Sequence, residues 1–466
     1  MSDGLWSPAR RTLTGGLVLT ITLVAFEALA ISTVLPVVAK ELGGLDLYGW
    51  VFSAFLLGNL VGIVAVGGLI DRGWLVGPFI GGLVLFGMGL AIGGLSPSMP
   101  ILVAGRLLQG FGAGAIAPIA YVAIGRTLPE QLRALMFATL STAWVLPGVI
   151  GPVIAGRIAE ISSWRFVFLG LIPFIVLSGV LAVVGLRKVP AAGAPEGGAP
   201  IAAVVTVRRL PRAIVLAVGA ALAVAGLSSP FPLPGVALVA LGLVLAVPAF
   251  RDLVPPGTLR AHGRLPSAIL LRGIATFTFF SVDAYVSLLL VEWRGLTPSQ
   301  AGISLTAATL TWTLGAWVQA RGVGRYGAAR FVGVGLATVV LGIAAVSLVL
   351  APSVPVAWAV PAFAIAGFGM GLAYAPLTLV VLADAEPANV GSATAGLQLS
   401  DTLGTAVGTG VAGAIVAVAT RSGAAIWVGL AIAFGVAAVV GLLGVALSPR
   451  LRVAASPVVD VRPPLR

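Results

Sequence analysis

Gly110-Phe111-Gly112-Ala113-Gly114 and Gly367-Phe368-Gly369-Met370-Gly371 are the stretches on which the fold turns. Each lies inside a long apolar run, and they stand 257 positions apart (367 − 110). The same offset carries Leu140, Leu146, Gly151, Ala155 and Gly156 onto Leu397, Leu403, Gly408, Ala412 and Gly413. Pro118 and Pro376 follow the glycine motifs one residue out of step. Two separate segments sharing one offset mark an internal repeat. Coincidence in a Gly-rich chain is the competing reading. Glycines spaced in this way let helices approach closely inside a membrane.

Composition agrees with immersion in lipid. Apolar residues make up 59% of the 466 positions and charged residues only 9%. Soluble domains run at about 45–50% apolar and about 25% charged. No single soluble core accommodates so little charge, whereas lipid-embedded segments require it. The basic residues recur in short loops rather than in one cluster, which argues against a nucleic-acid partner. The chain has no Cys, so disulfides, thiol catalysis and thiolate metal sites are excluded. Arg10 and Arg11 before an apolar run, with Ala28-Leu29-Ala30 inside it, resemble a signal peptide. The run continues through Val38, Glu27 interrupts it, and many more spans follow, so retention is expected.

Runs of about 20 apolar residues predict spans at 15–38, 49–70, 76–95, 100–124, 134–156 and 165–186. Others follow at 212–228, 233–250, 267–291, 300–319, 331–351, 356–383, 391–419 and 425–447. The expected fold is therefore an all-α membrane protein of fourteen spans. With the N-terminus inside, twenty Arg and Lys fall in inner loops and four in outer ones, which places both termini in the cytoplasm. The offset pairs span 1 with span 9 and span 6 with span 14. Three units are expected: a six-helix bundle over 1–190, a linker with two inserted helices over 191–266, and a second six-helix bundle with a tail over 267–466.

Several motifs resemble the major facilitator superfamily, and more narrowly its fourteen-span drug:proton antiporters of the QacA/EmrB kind. They are Gly67-Gly68-Leu69-Ile70-Asp71-Arg72, Arg106-Leu107-Leu108-Gln109-Gly110, and Gly148 through Gly156. Glu27 through Leu35-Pro36 and Trp164-Arg165 through Phe168 and Pro173 add to the set. The resemblance covers nearly the whole chain. It implies two parallel six-helix halves that rock about a midplane site, export of lipophilic small molecules, exchange with protons, and a part for Arg106 in proton coupling. The sequence departs from the family pattern in three places. Gly73-Trp74-Leu75-Val76 replaces a basic run, Glu27 stands for Asp, and Ser32 stands for Asn.

Few ionisable residues lie deep in the spans, and each is a functional candidate by default. Glu27 sits halfway through span 1, and a carboxyl in apolar surroundings can exchange a proton near neutral pH. Arg106 lies within roughly 7 Å of its depth, at about 1.5 Å per helical residue, so its side chain could approach Glu27. Static ion pairing is the alternative role. Asp401 shares a helix face with Gln398, Thr405 and Gly408, and its repeat-mate is Trp144. Both a coupling role and a structural hydrogen bond fit it. Asp283 shares a face with Thr276, Phe280 and Ser287, a setting suited to a lipophilic, cationic substrate. The expected proton-coupling set is Glu27, Arg106 and Asp401. The expected substrate set is Asp283, Phe280, Thr276, Gln398, Trp144 and Gln109. Asp71, Arg72, Arg133, Gly151 and Pro152 are the expected conformational gate. Arg272 is expected to snorkel to the inner surface.

Gly408-Thr409-Gly410-Val411-Ala412-Gly413 matches a dinucleotide fingerprint literally but follows no strand, so packing explains it. No Walker A motif is present, and neither cofactor nor metal is expected. The resulting expectation is a monomeric multi-pass transporter of the cell (inner or plasma) membrane, a non-enzyme whose partners are a lipophilic substrate, protons and the bilayer. Export of lipids or endogenous hydrophobic metabolites stays open, as does a non-transporting sensor or scaffold on the same fold.

Overall fold

The computed structural model describes residues 4–8, 10–71, 74–189, 201–386 and 389–452. Fifteen α-helices occupy these residues. They are α1 Arg11–Leu42, α2 Tyr48–Asp71, α3 Val76–Gly94, α4 Met99–Thr127, α5 Glu130–Ile161, α6 Arg165–Leu169, α7 Ile172–Leu186 and α8 Ile201–Leu227. The rest are α9 Pro232–Leu253, α10 Arg264–Leu288, α11 Pro298–Tyr326, α12 Ala328–Ser347, α13 Ala359–Asp384, α14 Val390–Arg421 and α15 Ile426–Leu447. No strand occurs among the described residues. Helices are the expected solution in lipid, because each satisfies its own backbone polar groups.

Thirteen helical segments are long and apolar enough to cross a membrane, with α6 and α7 forming one of them. The expected span at 300–319 is the one outside this set. It is a regular helix, α11, but Thr306, Thr309, Thr311, Thr313, Gln319 and Arg321 dilute its apolar character. A capping box starts α11, with the Thr297 side chain accepting from the Gln300 backbone and the Gln300 side chain accepting from the Thr297 backbone. The seventh span, expected at 212–228, lies at Arg209–Leu227 within α8, a helix that begins at Ile201.

The helix pairings repeat. In the first part of the chain α2 and α3 pack on α4, while α1 packs on α5 and α7. In the last part α11 and α12 pack on α13, while α10 packs on α14 and α15. The two parts meet along reciprocal seams, α5 on α11 and α2 on α14. The hairpin of α8 and α9 joins at α2 and α14 through α8.

The glycine motifs explain why the pairings repeat. A Cβ at Gly110 or Gly114 would collide with the carbonyls of Phe55 and Asn59 on α2, and one at Gly112 with that of Gly82 on α3. Gly367 and Gly371 meet the carbonyls of Ala308 and Trp312 on α11 in the same way, and Gly369 meets Gly335 on α12. Each motif therefore turns two glycines to one neighbour and the middle one to the other, bringing three backbones into direct contact.

Both described ends of the membrane domain lie on one face. The start of α2 touches the end of α10, where Tyr48 donates to the Ala284 carbonyl at 3.2 Å. The starts of α1 and α10 therefore share the opposite face. Arg264, at the start of α10, donates to the carbonyl of Leu451 at 3.0 Å, which puts the end of the described chain on that same face. We call it the proximal face, and the one where α1 ends the distal face.

Gly110→Val places two methyl groups against the α2 backbone, where overpacking costs about 1–3 kcal/mol. The expected result is a clear drop in Tm in detergent. The same change at Gly87, where a Cβ meets nothing within 4 Å, is expected to leave Tm near wild type. Equal Tm values for the two variants would contradict the backbone seam.

Candidate functional site

Two buried charge centres lie in the membrane domain, one in each repeat. In the first, Arg106 on α4 reaches Glu27 on α1 and forms an ion pair in which each side chain is 2% exposed. Two of the three guanidinium nitrogens of Arg106 make hydrogen bonds. Its Nη1 donates to Glu27 Oε1 and, at 2.8 Å, to Gln109 Oε1. Its Nε donates to the Val51 carbonyl at 3.0 Å, and its face lies 4.3 Å from the Phe55 ring centroid. Glu27 Oε2 and Gln109 Nε2 are buried with no hydrogen-bond partner among the described residues. One carboxylate oxygen is thus held by Arg106 while the other makes no hydrogen bond among the described residues. Residues 79 positions apart meet here because the glycines of α4 let α2 and α4 close up, and the α2 groups Val51 and Phe55 then orient the arginine.

The second centre joins Arg272 on α10 to Asp401 on α14, 2.9 Å apart. Arg272 Nη1 donates to the Tyr374 carbonyl at 2.6 Å, and the guanidinium sits 3.2 Å from the Tyr374 ring centroid. The Tyr374 hydroxyl closes the loop by donating to Asp401 Oδ2 at 3.2 Å. This overturns the expectation that Arg272 snorkels to the surface. Its side chain is 6% exposed, because a carboxylate, a carbonyl and an aromatic face compensate the charge inside.

An aromatic cluster adjoins this centre. Tyr374 meets Trp312 at 5.4 Å, and Trp312 meets Phe279 at 5.3 Å and Phe280 at 6.3 Å. Phe279 stacks on Phe363 at 5.5 Å. Phe363 occupies the repeat position of Arg106 (363 − 106 = 257), so an aromatic ring in one repeat stands where the other carries its charge. Sequence reading missed Trp312, Tyr374 and Phe279, since single aromatics in apolar helices look alike until packing brings them together.

The remaining candidates divide. Asp283 and Phe280 are half-buried, and Asp283 has no ion pair or hydrogen bond among the described residues. Thr276 is fully buried and donates to the Asp401 carbonyl at 3.0 Å, tying α10 to α14. Gln109 is fully buried against Arg106. Gln398 is exposed, and Trp144 is 48% exposed. Of the expected gate, Gly151 lies against the Phe26 ring and Pro152 against Gly302 of α11. Arg133 is exposed, with Nε donating to the Leu128 carbonyl at 2.8 Å. Arg72 lies outside the described residues, and so does the side chain of Asp71.

The hydrogen bonds that cross between the repeats gather toward the distal face. Ser53 donates to the Ala406 carbonyl at 2.8 Å, Thr306 donates to the Val149 carbonyl at 2.9 Å, and the Ser299 hydroxyl donates to Glu160 at 2.6 Å. Tyr48 and Tyr285 meet there with centroids 5.1 Å apart.

This arrangement of paired repeats and buried charges can be set beside known proteins. The family model of the Major Facilitator Superfamily matches residues 17–385. The chain belongs to the major facilitator superfamily. A probable multidrug-efflux transporter of Mycobacterium tuberculosis is 31% identical over 449 residues, 92% of this chain and 92% of that protein. Multidrug resistance protein 3 of Bacillus subtilis is 30% identical over 163 residues, covering 35% of this chain and 32% of its own. Solved structures share the fold. An auto-inhibited POT family peptide transporter superposes with a TM-score of 0.68 at 18% identity, over 97% of this chain and 99% of its own. A bacterial homologue of the human lysosomal transporter Spinster gives 0.64 at 16% identity, over 96% and 95%. The molecule is thus a multi-pass transporter of the major facilitator superfamily, with the two charge centres as its candidate site.

Removing one partner of a buried ion pair costs about 3–5 kcal/mol because the other charge is stranded. The two partners differ, since a stranded carboxyl can take a proton and become neutral while a guanidinium cannot. Glu27→Ala is therefore expected to lower Tm in detergent more than Arg106→Met does. The double variant is expected to recover part of the loss. Additive losses would show that the two side chains do not act on each other.

Proposed function

We propose that this transporter is a proton-coupled exporter of lipophilic small molecules that crosses the cell membrane fourteen times with both termini in the cytoplasm. The observation that carries the coupling is the Glu27–Arg106 pair. It is a carboxylate deep in the membrane with one oxygen bound to a fixed cation and the other unpartnered. Protonation weakens its hold on Arg106, and Arg106 is anchored to Val51 on α2, a helix of the seam with the second repeat. Proton binding at Glu27 is in this way transmitted to the interface that must move. Arg272, Asp401 and Tyr374 form a second centre of the same kind.

Fourteen crossings are supported by the placement of both described ends of the membrane domain on the proximal face, which requires an even number. Counting α11 with the thirteen more apolar helices supplies that number. The excess of Arg and Lys on the loops of that face favours a cytoplasmic side. The rocking units are the bundles 1–190 and 267–466, with α8 and α9 beside the α2–α14 seam. The cross-repeat bonds near the distal face fit a substrate path open to the cytoplasm.

The names of the relatives point to drugs as the cargo class. Within the chain, the half-buried rings of Phe280, Trp312 and Tyr374 offer apolar faces, and the unpaired Asp283 offers a charge. A planar lipophilic cation fits that combination.

In proteoliposomes under an imposed pH gradient, wild type is expected to move a lipophilic cationic dye, and Glu27→Gln is expected to abolish the gradient-driven part. Equal gradient-driven flux in both would remove Glu27 from the coupling. Asp283→Asn is expected to raise the KM for the cationic dye roughly tenfold, by losing a charge contact of about 1.4 kcal/mol. A neutral lipophilic substrate should be affected little. An equal loss for both substrates would count against a charge contact at Asp283.

A further inference from the structure

Outside both charge centres, the proximal face carries a cavity of about 790 Å³ walled by Arg260, His262, Arg264, Arg450 and Arg452. Four guanidiniums and an imidazole converge there. The carboxylate paired to them is Asp384, which accepts from Arg264 at 2.6 Å. Like charges gathered in this way repel unless an anion lies among them.

The loop that presents these groups is held by other means. Ala261 adopts φ 47°, a left-handed conformation unusual for a side chain, between Gly257 at 88° and Gly263 at 91°. Its carbonyl accepts from Arg450 at 3.0 Å and from Ser267 at 2.9 Å, and the Arg260 carbonyl accepts from Arg450 at 2.7 Å. Arg450 and Arg264 are thus spent on fixing the loop and the segment after α15. The side chains of Arg260, His262 and Arg452 have no hydrogen bond or ion pair among the described residues. The loop's internal bonds do not use these three side chains, which line the cavity.

We propose that this cavity binds the phosphate headgroup of an anionic phospholipid. The recognised chemistry is a phosphate monoanion or diester, bound by Arg260 and Arg452 with His262 beside them. A membrane source is favoured by position. Arg264 is the first residue of α10, and Arg450 lies in the turn that follows α15, so the cavity sits where membrane helices emerge. Leu259, next to Arg260, is 46% exposed and gives the loop an apolar side chain to place among acyl chains. Basic pockets at helix ends on such a face are the setting in which anionic headgroups bind. A headgroup here ties three parts together: the tether leaving α9, the start of α10 and the segment after α15. Anionic lipid thereby anchors the inserted hairpin to the second repeat.

The test uses the full chain, stripped of loosely held lipid in detergent and incubated with phosphatidylglycerol or phosphatidylcholine, with bound lipid read by native mass spectrometry. Wild type is expected to retain phosphatidylglycerol in preference. Arg260→Gln/Arg452→Gln is expected to lose that preference by roughly thirtyfold, from about 1 kcal/mol per arginine. Arg187→Gln/Arg330→Gln, which alters charge outside the cavity, is expected to bind as wild type. Retention by the Arg260→Gln/Arg452→Gln protein equal to wild type overturns the site, as does an equal loss in the Arg187→Gln/Arg330→Gln protein. Displacement of phosphatidylglycerol by millimolar inorganic phosphate would overturn the lipid as the occupant in favour of a free anion.

Discussion

The pairings of α4 with α2 and α3, and of α13 with α11 and α12, depend on backbone-to-backbone contact at glycine. Lipid provides no hydrophobic drive for one apolar helix to join another, so association relies on close packing and the polar contacts it permits. Gly110, Gly112 and Gly114 bring α4 against α2 and α3, and Gly367, Gly369 and Gly371 do the same for α13 against α11 and α12. Once α2 lies this close to α4, the Val51 carbonyl and the Phe55 ring fall within reach of Arg106. The charge centre is therefore a product of the glycine seam, and the seam is also what keeps Arg106 away from lipid.

The repeat governs backbones but not charges. Glu27 has Ala284 as its repeat-mate and Arg106 has Phe363, while Asp401 has Trp144 (offset 257 throughout). One half carries its carboxylate–guanidinium pair between α1 and α4, and the other carries one between α10 and α14. Each buried charge costs about 2.5–3.5 kcal/mol on insertion scales before it is paired. Two such pairs at non-equivalent positions leave the halves with the same shape and different chemistry. An aromatic cluster takes the space in the second half that the arginine takes in the first.

The seams between the halves show the same economy of means. Gly49 and Gly413 meet beside Tyr285, and Gly156 lies on the Ser299 backbone of α11. Hydroxyls rather than charges make most of the bonds across the seams, at Ser53, Tyr48 and Thr306. Neutral hydrogen bonds of about 0.5–1.5 kcal/mol each can be broken and remade in a transport cycle. The ion pairs, by contrast, lie within single repeats.

The sequence by itself determined the class of structure. Low charge, apolar runs of span length and a repeat at offset 257 are one-dimensional properties, and lipid turns them directly into helices because no other element can satisfy its backbone there. Glu27, Arg106 and Asp401 were legible for a related reason: an ionisable group in an apolar run is conspicuous whatever surrounds it. What only the tertiary structure decided was partnership. Arg272 reads as a surface-seeking residue until Asp401 and Tyr374, 129 and 102 positions away (401 − 272 and 374 − 272), are brought around it. The bond from the Thr276 hydroxyl to the Asp401 carbonyl likewise joins residues 125 positions apart. The aromatic cluster draws one or two rings from each of α10, α11 and α13. Hydropathy and spacing act along one helix, whereas the compensation of a buried charge is a property of three helices at once. No local pattern encodes it.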